Sequence, residues 1–132
     1  MRYSHQRELI LREVLSRSDY PTAEQICTSL RAVCPRLSLG TVYRDLNTLV
    51  DIGKVRRLSI PGKADRFEGP QEDHQQLYCR SCQKVKSIHI SDAQLKALID
   101  ACPDIVPEDY SLTVFGLCDE CAVKAAQETE EL

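Results

Sequence analysis

Four cysteines stand in two C-x-x-C pairs, Cys79 with Cys82 and Cys118 with Cys121, and 35 residues (83 to 117) lie between the pairs. Two thiols three positions apart at the end of a strand can be aimed at one point, so two such pairs can offer four thiolates to a closed tetrahedral Zn²⁺ site. Four sulfurs leave no open position for a substrate water. The ion would therefore be structural, contributing about 10 kcal/mol or more to folding. The competing reading is two redox dithiols, but a thioredoxin-like dithiol needs a helix directly after its motif, and "CRSC" runs into a strand-like segment.

Seven cysteines in 132 residues is an odd number, so a complete disulfide framework would leave a thiol over. Cys27 falls on an apolar stripe with Ala23, Ile26 and Leu30 and reads as a small buried hydrophobe. Cys34, beside Arg36, and Cys102, before Pro103, are free thiols for which sensing is a secondary reading. No nucleophile with its base, open metal site or phosphate-cradling loop can be assembled, so an enzyme is not expected.

The elements that must position these groups fall into two halves of opposite charge. Residues 1 to 66 hold 12 Lys and Arg against 7 Asp and Glu, a net of +5; the remainder holds 5 against 13, a net of −8. The front half could face a polyanion and the back half could not. In "RELILREVLSR", Ile10, Leu11, Val14 and Leu15 recur at helical spacing, and "PTAEQICTSL" opens a second helix with Thr22 as N-cap and Gln25 completing a capping box. In "SLGTVYRDLNTLVDIG", Ser38 caps a third helix whose Leu39, Val42, Leu46, Leu49 and Val50 share one face, with Gly53 as its stop. "KVRRLSI" and "ADRFE" flank the turn "PGK" as a hairpin. Three helices and a hairpin make a winged helix.

If Val42 marks the core direction, Arg44 points almost directly away from it, with Gly40, Asn47 and Thr48 beside it and Tyr43 on the flank. That outer face suits a DNA major groove, and Arg56, Arg57, Lys63 and Arg66 follow on the wing, where phosphates would be met. The plainer alternative is an ordinary solvated helix face. Beyond "GPQEDH" the pattern restarts: "QLYC" and "KVKSIHI" read as strands, "SDAQLKALIDA" as a helix capped by Ser91, "YSLTVFGLC" as a strand, and "ETEEL" as a frayed tail. The expected fold class is α+β. A winged helix-turn-helix domain occupies 1–68, a linker 69–74, and a small α/β dimerisation domain with the four-cysteine zinc site 75–132. No apolar run nears the roughly 18 residues of a membrane span, and "MRYSHQRELI" carries charge where a signal peptide would be apolar, so a cytoplasmic protein is expected.

"PTAEQI", "SLGTVYRDLNTLVDIGKV", "RFE", "HQQLYCRSC" and "FGLCDEC" stand in one order over nearly the whole chain, and with them the sequence resembles the ferric uptake regulator (Fur) family of bacterial transcription factors. It looks most like the family's peroxide-responsive repressor branch. The resemblance implies a homodimeric repressor of double-stranded operator DNA, with no membrane or small-molecule substrate. It implies structural zinc on Cys79, Cys82, Cys118 and Cys121. Thr41, Tyr43, Arg44, Asn47, Arg56 and Arg57 are the candidate DNA contacts, Tyr43 and Arg44 by their match to the family's own.

The resemblance also implies a regulatory Fe²⁺ or Mn²⁺ site, for which Glu68 and His74 match ligand positions and Asp73 is a further donor. Tyr20, Gln76 and Ser87 stand where the family usually has His, His, and Asp or Glu. One carboxylate and one imidazole are few ligands for these ions. His5 and His89 read as surface or packing residues. Peroxide or metal status is the expected signal; the alternative is a zinc-stabilised relative that regulates DNA without a regulatory metal, or through a thiol.

Overall fold

The computed structural model describes residues 2–71, 74–108 and 110–130. The chain divides into two compact units, Met1–Pro70 and Gln71–Leu132. In the first, three helices, α1 (Arg2–Ser16), α2 (Ala23–Leu30) and α3 (Leu39–Asp51), precede a two-stranded antiparallel hairpin of β1 (Arg56–Leu58) and β2 (Arg66–Glu68). The capping box on α2 forms as the local sequence demands: Thr22 Oγ1 accepts from the Gln25 amide at 3.2 Å, and Gln25 Oε1 accepts from the Thr22 amide at 2.9 Å. Ser38 caps α3, its Oγ accepting from the Thr41 amide at 3.1 Å. Helix α3 ends where Gly53 turns to φ +79°, a left-handed conformation that a side chain would strain, and the Lys54 amide folds back to the Leu49 carbonyl at 2.9 Å.

Ile10 and Val14 of α1, Ile26 of α2, and Val42 and Leu46 of α3 are fully buried together with Phe67 of β2. Each contributes about 1.5–3 kcal/mol by leaving water, which is what fixes α3 against its neighbours. Leu15 departs from expectation and is 56% exposed. A residue of opposite character is found inside: the Asp45 side chain is 1% exposed and lies 3.8 Å from the Arg7 guanidinium of α1.

The second unit pairs β3 (His74–Cys79) antiparallel with β4 (Val85–His89) and parallel with β5 (Thr113–Gly116), in the order β4-β3-β5. His74, assigned from sequence to the linker, opens β3 instead. Helix α4 (Asp92–Asp100) lies between β4 and β5 in sequence, and its N-cap Ser91 forms a capping box with Gln94. Helix α5 (Asp119–Glu130) follows β5. The frayed-tail expectation is therefore corrected through Glu130: Asp119 and Glu120 sit in the first turn, where the helix dipole favours acids, and Ala, Lys and Gln are good helix formers. No helix of the described residues is long and apolar enough to cross a membrane.

Candidate functional site

The two cysteine pairs meet. The four Sγ atoms lie within 4.8 Å of one another; Cys79, Cys118 and Cys121 are buried and Cys82 is exposed. A tetrahedral ion with metal–sulfur bonds of about 2.3 Å requires sulfur–sulfur edges of about 3.8 Å. Cys82 and Cys118 already stand at 3.8 Å, so the donor set and its size fit such an ion.

Each pair is aimed by backbone. Cys79 ends β3, and the chain reverses so that the Gln83 amide reaches the Cys79 carbonyl at 2.9 Å and the Cys82 amide points at Cys79 Sγ at 3.5 Å. The second pair is carried differently from the strand-and-turn expected: Cys118 precedes α5 and its carbonyl accepts from the Ala122 amide at 2.8 Å, which puts Cys121 in the helix's first turn. Lys86 of β4 holds that helix start through Asp119 at 2.9 Å.

Backbone donors from Cys82 first, then Cys118, lower the Cys79 thiol to about 6, whereas Cys121 is pushed up to about 12, first by its hydrogen bond with Cys118. A divalent cation at their centre is the charge that lets all four be thiolates at once.

On α3, Tyr43 is 40% exposed and Arg44, Asn47 and Gly40 are exposed, while Thr41 and Thr48 are half-buried. The outward face read from helical periodicity is therefore the outward face of the fold. Arg57 adjoins it: its guanidinium donates to Asn47 Oδ1, lies 3.5 Å from Asp65 and covers the Phe67 ring at 5.9 Å.

Arg56 goes elsewhere. Successive strand residues point to opposite faces. Arg56 pairs in register with Glu68, and its Nη1 lies 3.4 Å from Glu68 Oε1. Glu68 is 6% exposed. Nearby, Tyr20 is buried at φ +52°, and its carbonyl accepts from Arg66 Nη1 at 3.5 Å.

Of the remaining residues matched to a regulatory site, His74 belongs to the second unit, where its backbone registers with His89; its side chain and Asp73 lie outside the described residues. Gln76 is buried and Ser87, its register partner, is exposed. Cys27 is buried, with its thiol 3.7 Å from the Leu37 carbonyl. Cys34 is half-buried against the same core, and Cys102 is exposed beyond α4. None of the three joins the four-cysteine cluster.

Sequence reasoning missed Asp45 and Arg7. The signal was present, since at 100° per residue Asp45 lies on the side of α3 that also carries Val42 and Leu49.

The sequence model of the ferric uptake regulator family matches residues 1–112. The peroxide-responsive repressor PerR of Staphylococcus epidermidis is 28% identical over 122 residues, covering 92% of this chain and 81% of that protein. The ferric uptake regulator of Vibrio cholerae superposes with a TM-score of 0.66 at 31% identity, covering 85% of this chain and 88% of that one. The Helicobacter pylori ferric uptake regulator, described as having three functional metal-binding sites, shares the fold at a TM-score of 0.77 with 22% identity, covering 89% of this chain and 80% of that one. These relatives are named as regulators, a repressor and ferric uptake regulators, and not as enzymes. With the family model spanning most of its length and the same fold shared at 31% identity, the chain belongs to the ferric uptake regulator family.

Proposed function

We propose that this chain is a cytoplasmic repressor that binds a duplex operator as a homodimer, with α3 entering the major groove and the hairpin resting on the backbone. The observation that carries this reading is the outward face of α3, where Tyr43, Arg44 and Asn47 stand exposed on a helix anchored by buried Val42 and Leu46. The net +5 of residues 1 to 66 supports attraction to phosphate. A two-fold dimer calls for a pseudo-palindromic site. We take Arg44, Tyr43, Thr41 and Asn47 as base and backbone contacts from the helix, with Arg57 and Lys63 on the wing side. The relatives named as peroxide-responsive repressors support peroxide as the signal.

Cys79, Cys82, Cys118 and Cys121 would hold one structural zinc ion. The ion supplies a cross-link between β3 and the start of α5; the residues supply its four charges and the backbone amides that favour thiolate.

The test is selection of binding duplexes from a random library, followed by affinity measurements on the recovered site. Arg44→Ala should flatten sequence preference by about 1–3 kcal/mol at one base pair per half-site. An Arg44→Ala protein with unchanged preference would show that α3 is not the reading helix. A second reading, regulation of DNA without a regulatory Fe²⁺ or Mn²⁺, is favoured by the ion pair at Glu68.

A further inference from the structure

Glu68 is the one carboxylate in the first unit that matches a regulatory-metal position, and it is not available in the way a metal ligand needs to be. Its neighbour across the hairpin, Arg56, is directly in register with it and holds Nη1 at 3.4 Å from Oε1. Glu68 is 6% exposed while the Arg56 side chain is 32% exposed, so the acid end of the pair is buried and the guanidinium reaches it from the solvent side. A divalent cation binding Glu68 would have to displace the guanidinium or sit a few ångströms from it, against like-charge repulsion in a poorly screened place. Tyr20 adds to the misfit, since the residue is buried in left-handed backbone whose carbonyl is tied to a second guanidinium, that of Arg66. Phenol and amide groups are poor donors to Fe²⁺ or Mn²⁺ beside carboxylate and imidazole. Among the described residues, Glu68 held by Arg56, with Tyr20 and Gln76, does not make a donor set that fits a regulatory transition-metal ion.

We infer that Arg56 is the built-in counter-charge of Glu68, taking the place a regulatory cation would occupy, so that the winged-helix unit is competent for DNA without a regulatory cation at that carboxylate. The inference rests on the reading of the chain as a DNA-binding regulator for its functional consequence, but not for its metal chemistry. The ion pair is an internal tie of the hairpin, and it turns a site of metal response into a fixed one. Arg56 is a positioning residue here, acting on DNA only through the hairpin it holds.

The experiment uses the zinc-loaded full-length protein and Mn²⁺ alone as probe, read by electron paramagnetic resonance of free Mn²⁺. Wild type should take up no Mn²⁺. Arg56→Gln, which uncovers the carboxylate, should gain at least about tenfold in Mn²⁺ affinity, on the order of the effect of one neighbouring charge on a carboxylate. The gain should vanish in Arg56→Gln with Glu68→Gln, and Arg56→Lys, which keeps the charge, should behave as wild type. Circular dichroism of each variant confirms that it is folded, and the Lys variant keeps the test open if Arg56→Gln does not fold. In parallel, binding to the selected duplex should change by less than about twofold between chelator-treated and Mn²⁺-supplemented buffer, against the roughly 5–150-fold expected of an allosteric metal. Stoichiometric Mn²⁺ uptake by wild type that is lost in Glu68→Gln overturns the inference, as does an Arg56→Gln protein no better at binding Mn²⁺ than wild type. Failure to recover any duplex would overturn the regulator reading instead, leaving the Mn²⁺ result to decide this one.

Discussion

The guanidinium of Arg57, on the first strand of the hairpin, donates to the side-chain carbonyl of Asn47 on the outward face of α3. A hairpin residue and a residue of the α3 outward face are thereby one unit. Their substitutions should be non-additive: a double-mutant cycle of Asn47→Ala and Arg57→Ala on DNA affinity should give a coupling of about 0.5–3 kcal/mol. Asp65, 3.5 Å from the same guanidinium, offsets its charge. Asp65→Ala should therefore tighten binding to all duplexes and steepen the salt dependence by about one phosphate contact. Strictly additive single mutants would mean the tie is broken when DNA is bound.

One zinc ion per chain is expected by metal analysis after desalting. Cys118→Ser should lose it, because an oxygen replaces a buried thiolate at the junction of β5 and α5, and the second unit should melt far below wild type, having given up about 10 kcal/mol or more of metal-linked stability. The three helices of the first unit carry their own apolar core and should retain their signal in the same sample. Full zinc retention by Cys118→Ser would exclude the four-thiolate site.

Asp45 is a buried charge whose two carboxylate oxygens accept no hydrogen bond among the described residues, leaving Arg7 at 3.8 Å as its ion-pair partner. Arg7→Ala should destabilise the first unit by about 1–3 kcal/mol, since it strands that charge, with the half-exposure of Arg7 keeping the figure modest. Replacing both, Arg7→Met with Asp45→Leu, should restore stability to wild type or above, because two desolvation costs disappear together. Denaturant unfolding in which the double variant is weaker than Arg7→Ala would count against this.

Arg17 grips Asp19 through two hydrogen bonds of 2.9 and 2.8 Å, and this, ahead of every other influence, lowers the Asp19 pKa. Because the folded value lies below the unfolded one of about 3.9, the stabilisation is fully present above that pH and is lost as pH falls through the folded value. Asp19→Asn should accordingly cost less than about 1 kcal/mol at neutral pH, given the exposure of the pair, and nothing at strongly acid pH. Thermal melts showing the same deficit at both pH values would assign it to packing instead of charge.

What was legible in the sequence is what local rules decide. Thr22 with Gln25, Ser38 and Ser91 announced helix starts because each cap is satisfied within four residues. The thiol cluster was legible because the spacing of each C-x-x-C pair is itself local, although the second pair is carried by a helix start and not by a strand end. Helix α5 was hidden by its acidic end, which reads as tail unless Asp119 and Glu120 are weighed as dipole partners. Arg56 and Arg57 separated only once strand alternation was applied and the register with Glu68 was known. The pairing of Asp45 with Arg7 and the left-handed backbone of Tyr20 beside Arg66 involve partners distant in sequence, and no local pattern names those partners.

The parallel pairing of β3 with β5 sets a timetable for biosynthesis. A ribosome releases the three helices and the hairpin first, and their contacts are mostly between sequence neighbours, so that unit can fold while translation continues. Strand β3 emerges next but cannot complete its sheet until α4 has been made and β5 arrives, and its cysteine pair waits until Cys121 is made, across a 35-residue gap. Closing a loop of that size costs an open chain about 4 kcal/mol, paid before any strand pairing rewards it. During that interval the nascent chain carries a finished helical unit and an unpaired, thiol-bearing strand whose partner thiols have yet to be made.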